Sequence, residues 1–183
     1  PRTVCTCRLQ CAVEGRVAEA QAELDAFRAA TAAVPETRML FQNAVAYILG
    51  IADRVLEGEL EYRRGNHERA FALLREASEL DESLAYDEPW GWMEPVRHAL
   101  GALLTEQGHY AEALDVYRED LARFPENGWA LHGMAECLEG LGRHVEALAV
   151  RTRFNKAWEQ AEIAIPGSCF CRTDPAGLPL LVE

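Results

Sequence analysis

Apolar positions recur at helical spacing along two neighbouring stretches of the chain, and the two stretches repeat each other. HYAEALDVY follows Gly108 and RHVEALAVR follows Gly142, with Ala113 and Ala147 at matching places. Each glycine separates two segments whose apolar residues have the period of an amphipathic helix. The predicted helices cover about residues 95–107, 110–123, 128–141 and 144–164, and the last of them is either continuous or broken. The pattern therefore predicts two successive helix pairs with the same internal layout.

This 34-residue unit of two short helices joined at a glycine resembles the tetratricopeptide repeat (TPR). The likeness is carried by residues 94–143, EPVRHALGALLTEQGHYAEALDVYREDLARFPENGWALHGMAECLEGLGR. The matching features are the turn glycine, the small residue five positions later and Pro125 at the end of one unit. Two positions depart from the repeat: Arg97 replaces an aromatic residue, and Asp120 replaces a small apolar one. They indicate either an ion pair with neighbouring side chains or the edge of an array.

The same spacing continues upstream, where Gly15 precedes RVAEAQAEL and Gly65 precedes NHERAFALL. A long helix is predicted over about residues 38–64, after Val34-Pro35 interrupts the preceding one. The first helix of the first unit is cut close to its beginning, so we expect this chain to be the C-terminal part of a longer array. The predicted repeat domain, residues 1–164, contains units at about 1–34, 38–83, 94–127 and 128–164.

Two segments lie outside the repeat spacing. SLAYDEPWGWMEP adds nine residues between the second and third units, and its prolines and glycine predict a loop. Residues 165–183, IPGSCFCRTDPAGLPLLVE, contain three prolines and predict an extended tail with a Cys-x-Cys motif.

Together these elements predict an all-α, right-handed α-solenoid of about four TPR-like helix pairs with a proline-rich C-terminal tail. A repeat array of this kind buries its core between neighbouring units. The chain is also similar to the C-terminal part of a class of mostly bacterial TPR proteins, through YDEPWGWMEPVRHALGALL, VYREDLARFPENGWAL and the short CFC tail. That resemblance implies an architecture and no particular biochemical activity.

The charge of the chain narrows the classes of partner. The net charge is −12, from 18 basic and 30 acidic residues, which disfavours phosphate backbones and favours basic segments. The longest apolar run, AVAYILGIA, is too short to cross a bilayer, which needs roughly 20 residues. The start of the chain has no basic-then-apolar signal pattern. We therefore expect a cytoplasmic protein without nucleic-acid or membrane partners, and its oligomeric state stays open.

The TPR resemblance implies a concave binding face lined by the first helix of each unit. Aromatic side chains there would anchor a peptide, and carboxylates would steer a basic residue. The predicted function is a non-enzymatic scaffold that binds a protein or peptide, against the plainer interpretation of a polar groove that meets only water. The candidate contact residues on this face are Glu59, Tyr62, Arg63, His98, Thr105, Trp129, His132 and Glu136.

Trp90 and Trp92 in the inserted loop are further candidates for ligand contact. They are two residues apart and point the same way if the segment is extended. Either they reach over the binding face, or they fix the loop onto the helices.

The cysteines support an alternative function as a metal- or redox-active thiol protein. Five thiols at the two ends of the chain are enough for a Zn or Cu(I) site, although zinc sites more often have a two-residue spacer than Cys-x-Cys. Cys7 and Cys11 also fall at core positions of the repeat, whereas the tail pair has three open interpretations: a redox pair, a metal clip or free thiols. The five residues are Cys5, Cys7, Cys11, Cys169 and Cys171.

Catalysis has little support in the sequence. The chain has no glycine-rich phosphate loop, nucleophile elbow or H-E-x-x-H motif. His98 and His132 share a repeat position, and Glu136 follows one helical turn later, which makes a third hypothesis of an acid–base or metal site. We predict no enzymatic activity and no cofactor other than the metal of the alternative hypothesis.

Overall fold

The computed structural model describes residues 16–172. Within that range the fold is all-α, and consecutive helices inside each of its two units pack together. The chain forms two compact units, Pro1–Val96 and Arg97–Glu183. The described elements are α1 (Val17–Ala32), β1 (Met39–Leu40), β2 (Asn43–Ala44), α2 (Val45–Arg63), α3 (His67–Ser83), α4 (Val96–Glu106), α5 (Tyr110–Arg123), α6 (Gly128–Gly140) and α7 (His144–Ala157).

The first unit is built from α1, α2 and α3. Ala20 and Leu24 of α1 form a buried apolar cluster with Leu56 and Leu60 of α2. The pair α2–α3 turns at Gly65, whose φ of 82° is a left-handed conformation that suits glycine. The small residue five positions after that glycine, Ala70, is fully buried, as the repeat pattern predicts.

The prediction of one helix over residues 38–64 was wrong at its start. A two-stranded antiparallel hairpin occupies its first part, with Met39 paired to Ala44, and α2 begins at Val45. The reason is a long-range contact of Asn43, whose buried side-chain amide donates to the Ala85 carbonyl at 2.9 Å and accepts from the Ala85 N–H at 2.8 Å. These bonds tie the hairpin to the inserted loop, which local helical periodicity does not reveal.

The second unit contains the pairs α4–α5 and α6–α7. Gly108 and Gly142 form the turns inside the pairs, with φ values of 77° and 71°. Between the pairs, Asn127 caps α6 by accepting hydrogen bonds from the backbone N–H groups of Trp129 and Ala130. Helices α4, α5 and α6 therefore follow the predicted layout closely, and α5 covers the predicted range.

The prediction that the last helix reaches Ala164 was also wrong, because α7 ends at Ala157. Trp158 closes the helix and donates its indole N–H to the Ile163 carbonyl at 2.7 Å, which turns the chain back. Residues 163–172 then continue without helix or strand. We call residues 163–172 the return segment.

Some sequence predictions fall outside the described residues. They are the first helix of the first unit, the last part of the tail and the thiols Cys5, Cys7 and Cys11. Among the helices of residues 16–172, none combines the length and apolar character needed to cross a membrane.

Candidate functional site

The return segment lies against α4 and α6, the first helices of the two pairs in the second unit. Ser168 is buried and donates its hydroxyl to the backbone carbonyl of His98 at 3.3 Å. Ile165, Cys169 and Cys171 are also buried. A non-helical piece of this chain, made of bends and a turn, therefore occupies the face that the sequence predicts for peptide binding.

Tyr117 of α5 reaches the return segment by passing between the two first helices. Its hydroxyl forms a hydrogen bond with Ser168, whose own proton goes to His98, so the tyrosine is the donor. A side-chain carbon at Gly101 of α4 would lie 2.6 Å from Cζ of Tyr117, and one at Gly133 of α6 would overlap the same ring. Two glycines thus make room for one ring, and burial raises the pKa of its hydroxyl.

Arg172 joins the return segment to carboxylates on both first helices. One guanidinium nitrogen of Arg172 donates to both oxygens of Glu136, at 2.8 and 2.7 Å, and its Nε lies 3.9 Å from Glu106 Oε2. Burial alone would lower the pKa of Arg172, but the bonds to Glu136 and the charge of Glu106 raise it. All three groups are partly buried, where charge-assisted hydrogen bonds are stronger than on an open surface.

Phe170 belongs to an aromatic cluster that includes Trp129. Its ring meets Trp129 edge-on with centroids 5.3 Å apart, and Trp129 meets Trp158 in the same way at 5.6 Å. Phe154 stacks on Trp158 at 5.7 Å. Edge-to-face and stacked pairs at these separations are favourable, so Trp129 offers an aromatic anchor point.

His98 and His132 have different partners in the structure. The ring of His98 is buried and donates from Nε2 to Asp120 Oδ2 at 3.1 Å, which explains the unusual carboxylate at that repeat position. His132 Nδ1 accepts from Arg151 at 3.3 Å, and its ring contacts Phe154. Burial and the charge of Arg151 lower the pKa of His132, so the imidazole is neutral at pH 7.

Thr105 belongs to the interior of the second unit. Its hydroxyl donates to the Gly101 carbonyl at 2.7 Å and lies 3.2 Å from Cys137 Sγ. Burial raises the pKa of the Cys137 thiol to about 11. Thr105 and Cys137 are therefore buried core residues. The Cys137 thiol stays protonated at pH 7.

The candidates on α2 belong to the first unit, where two of them are buried. Glu59 is 3% exposed and Tyr62 is 4% exposed. Tyr62 stacks on His67 with centroids 4.8 Å apart, and the Arg63 guanidinium lies 5.3 Å from the Tyr62 ring centre. Burial raises the pKa of Glu59 to about 7, although the charge of Arg63 opposes the shift.

Two family models for the tetratricopeptide repeat match this chain, one over residues 53–126 and the other over residues 104–150. The chain belongs to the TPR family. Comparison with curated proteins and with solved structures gives no match. The matched ranges run from α2 into α7 and so include all three described helix pairs. TPR arrays are generally modules for protein–protein interaction.

The inserted loop of this TPR protein is attached through a backbone carbonyl and through the Asp87 side chain. The Tyr86 carbonyl accepts from Gln42 at 3.0 Å, and the carboxylate of Asp87 accepts from Asn43 at 2.6 Å. Trp90 is 46% exposed, whereas Trp92 is partly buried. The two tryptophans of the loop therefore differ in their exposure.

The cysteines of the described part give the metal hypothesis no site. Cys169 and Cys171 form a disulfide within the return segment, and the Cys171 N–H donates to Cys169 Sγ at 3.1 Å. Between residues 16 and 172, no group of three or more His, Cys, Asp or Glu side chains is arranged to hold a metal ion.

A second surface feature lies in the first unit of the TPR chain. A cavity of about 450 Å³ opens between α1 and α2, with Phe27 and Leu49 among its lining residues. Arg28 at its rim is held by Asp53 at 2.6 Å and by Glu57, which raises the pKa of the guanidinium. The charge of Arg28 is thus already paired within the protein.

Sequence reasoning did not select Tyr117, Ser168, Phe170 or Arg172 as site residues. A usable signal existed in the two glycines inside helices α4 and α6, because glycine in a helix interior costs about 1 kcal/mol against alanine and needs a packing reason. The match of those glycines to one tyrosine ring was not visible from helical periodicity. The fold-back of the tail has no periodic signal at all.

Proposed function

We propose that this TPR chain is a non-enzymatic scaffold that binds a peptide segment of a partner protein, with a basic residue, on the face of α4 and α6. The observation that carries the proposal is the chain's own return segment on that face. Its Arg172 lies between Glu136 and Glu106, at 2.7 and 3.9 Å.

Charge supports a basic ligand at this face. Glu106 and Glu136 come from successive first helices and converge on one guanidinium. The side chains of Glu106 and Glu136 are 19% and 29% exposed, so the carboxylates are less screened than ordinary surface charges. The net charge of −12 adds long-range attraction for a basic segment.

Shape supports a non-helical ligand with an aromatic side chain. Trp129 is only partly buried and presents its ring edge-on to Phe170. The His98 backbone carbonyl accepts from the Ser168 hydroxyl, so the face also offers a hydrogen-bond acceptor to a hydroxyl side chain of the ligand. In the proposal, His98 and Thr105 are buried beneath this face and do not contact the ligand. The accessible contacts are Glu136, Trp129 and the neighbouring His132.

Several expectations accompany the proposal. The ligand class is protein or peptide, and the acidic surface argues against nucleic acid. We expect neither a cofactor nor catalysis at this face, and the cytoplasmic location stays a prediction.

The proposal can be tested by panning a random dodecapeptide phage library on the immobilised full chain. We expect enrichment of peptides that contain arginine with an aromatic residue nearby, for the wild type or for a Phe170→Ala/Arg172→Ala variant in which the return segment is weakened. The Glu106→Gln/Glu136→Gln variant should lose the preference for arginine, because it removes both carboxylates and keeps their size.

The matched control is Glu112→Gln/Asp115→Asn, which removes two exposed charges from α5. It should leave the enrichment unchanged. If neither the wild type nor the weakened variant selects any peptides above uncoated plastic, the binding function is wrong.

A further inference from the structure

We infer that the return segment is an exchangeable occupant of its own binding face, and that the partner displaces it with an aromatic residue followed two positions later by arginine. The inference rests on the proposed function. It adds the ligand motif and the competition between the partner and residues 163–172.

The motif comes from the spacing of the two side chains that enter separate subsites. Phe170 contacts the Trp129 ring at 5.3 Å, and Arg172 binds both oxygens of Glu136. Cys171 between them is buried. The chain turns at residues 170 and 171, where the Cys169–Cys171 disulfide closes the loop, and this turn presents the two side chains to Trp129 and Glu136 of one helix, α6.

The return segment fills these subsites incompletely. Phe170 remains 52% exposed. Nε of Arg172 is buried without a hydrogen-bond partner among residues 16–172, and the nearest Glu106 oxygen is 3.9 Å away. A buried donor left unpaired loses stability, so a ligand whose arginine reaches both Glu106 and Glu136 gains a bond that Arg172 lacks.

The connection to α7 makes the return segment a competitor. The helix ends at Ala157, so only a few residues join it to the segment. A tether of that length gives an effective concentration of about 1 mM, which masks the face from weak external ligands. A partner therefore gains access either by higher affinity or by a change that weakens the return segment.

The test is fluorescence anisotropy with a labelled, disulfide-closed peptide of residues 162–172, added to the full chain. The Phe170→Ala/Arg172→Ala variant should bind this peptide at least about tenfold more tightly than the wild type, because the internal competitor is weakened. A peptide with alanine at both positions should bind at least about tenfold more weakly than the parent peptide, because both side-chain anchors are gone. Equal binding of the parent peptide to variant and wild type overturns the competition.

The motif is tested with a peptide in which the two residues exchange places, so that composition and charge are kept. It should lose most of the affinity of the parent peptide. If the exchanged peptide binds as tightly as the parent, the order and spacing of the motif are wrong.

Hydrogen exchange on the wild-type chain tests whether the return segment opens, and it does not depend on the folding of the variant. Amides of residues 168–172 should exchange through local opening, at least about tenfold faster than the protected amides of α6. Protection equal to that of α6 would make the segment a permanent part of the core and overturn the inference.

These outcomes are separable from failure of the binding function. Phage peptides that bind wild type and weakened variant equally would leave the scaffold function standing while removing the competition. Absence of any peptide binding to either protein removes both.

Discussion

Replacing Tyr117 by alanine lowers the free energy of unfolding of the second unit by about 4 kcal/mol, the scale of a lost buried aromatic side chain. Tyr117 is fully buried, and its ring fills the space above Gly101 and Gly133. The substitution leaves a cavity there and removes a partner of Ser168. Tyr117→Phe is the matched control, because it keeps the ring and loses only the hydroxyl, at a cost of about 1 kcal/mol.

A second variant identifies the reason for the effect. Gly133→Ala alone should cost about 1–3 kcal/mol, because the added methyl group overlaps the Tyr117 ring. In the Tyr117→Ala background the same change should cost nothing, or stabilise by up to about 1 kcal/mol through helix propensity. Urea unfolding followed by tryptophan fluorescence, with Trp90→Phe and Trp92→Phe in every variant so that only Trp129 and Trp158 emit, measures these values in the second unit. An equal cost of Gly133→Ala in both backgrounds would contradict the packing account.

Glu59→Gln in the first unit should raise the free energy of unfolding at pH 8 by about 3 kcal/mol, because the folded-state pKa of Glu59 is raised from 4.5 to about 7 and each unit corresponds to about 1.4 kcal/mol. Burial is the main cause, and the charge of Glu94 adds to it, while Arg63 opposes it. Glutamine keeps the size of the side chain and stays neutral at every pH.

The direction of this pH effect on stability follows from proton binding by Glu59 in the folded and unfolded states. Between pH 4.5 and 7 the unfolded chain has lost the Glu59 proton while the folded chain retains it, so the wild type loses stability as the pH rises. Below pH 4.5 both states hold the proton, and the difference between wild type and Glu59→Gln becomes small. Above pH 7 both states are ionised and the difference stays constant.

Chemical unfolding of the wild type and Glu59→Gln between pH 4.5 and 8 measures this difference. Glu79→Gln, an exposed carboxamide substitution on α3, serves as the control and should show the pH dependence of the wild type. Parallel pH profiles for wild type and Glu59→Gln would show that Glu59 is ionised in the folded protein.

The internal 34-residue repeat and the TPR resemblance were sufficient to predict the repeat layout. The turns at Gly65, Gly108 and Gly142 each have positive φ, and the alanine five residues after each is buried, because the second helix must approach the first closely at that point. These are local constraints that repeat with the unit, so a single sequence contains them several times.

The errors concern residues whose conformation depends on distant partners. The hairpin at Asn43 is fixed by Ala85, and the end of α7 is fixed by the contact of Trp158 with Ile163. Such contacts replace local helical bonds and occur once each, so no period in the sequence marks them.

The candidate site was predictable only as a face. The repeat pattern predicts that the first helices line the binding face, but it does not separate exposed from buried positions on them. The His98 side chain donates a hydrogen bond to the buried carboxylate of Asp120, and Glu59 is buried within the first unit. The ligand-like segment came from the tail, whose contacts with Tyr117 and Glu136 depend on the fold rather than on any spacing.

The most direct test of the central claim is an NMR titration of the ¹⁵N-labelled Phe170→Ala/Arg172→Ala chain with the disulfide-closed peptide of residues 162–172. We predict that the Trp129 indole signal and the amides of Glu106 and Glu136 move towards their wild-type positions as the peptide binds, since the peptide restores the lost contacts. Saturation with shifts confined to other surfaces, or no shifts at all in the folded variant, would contradict the assignment of the α4–α6 face as a peptide-binding site.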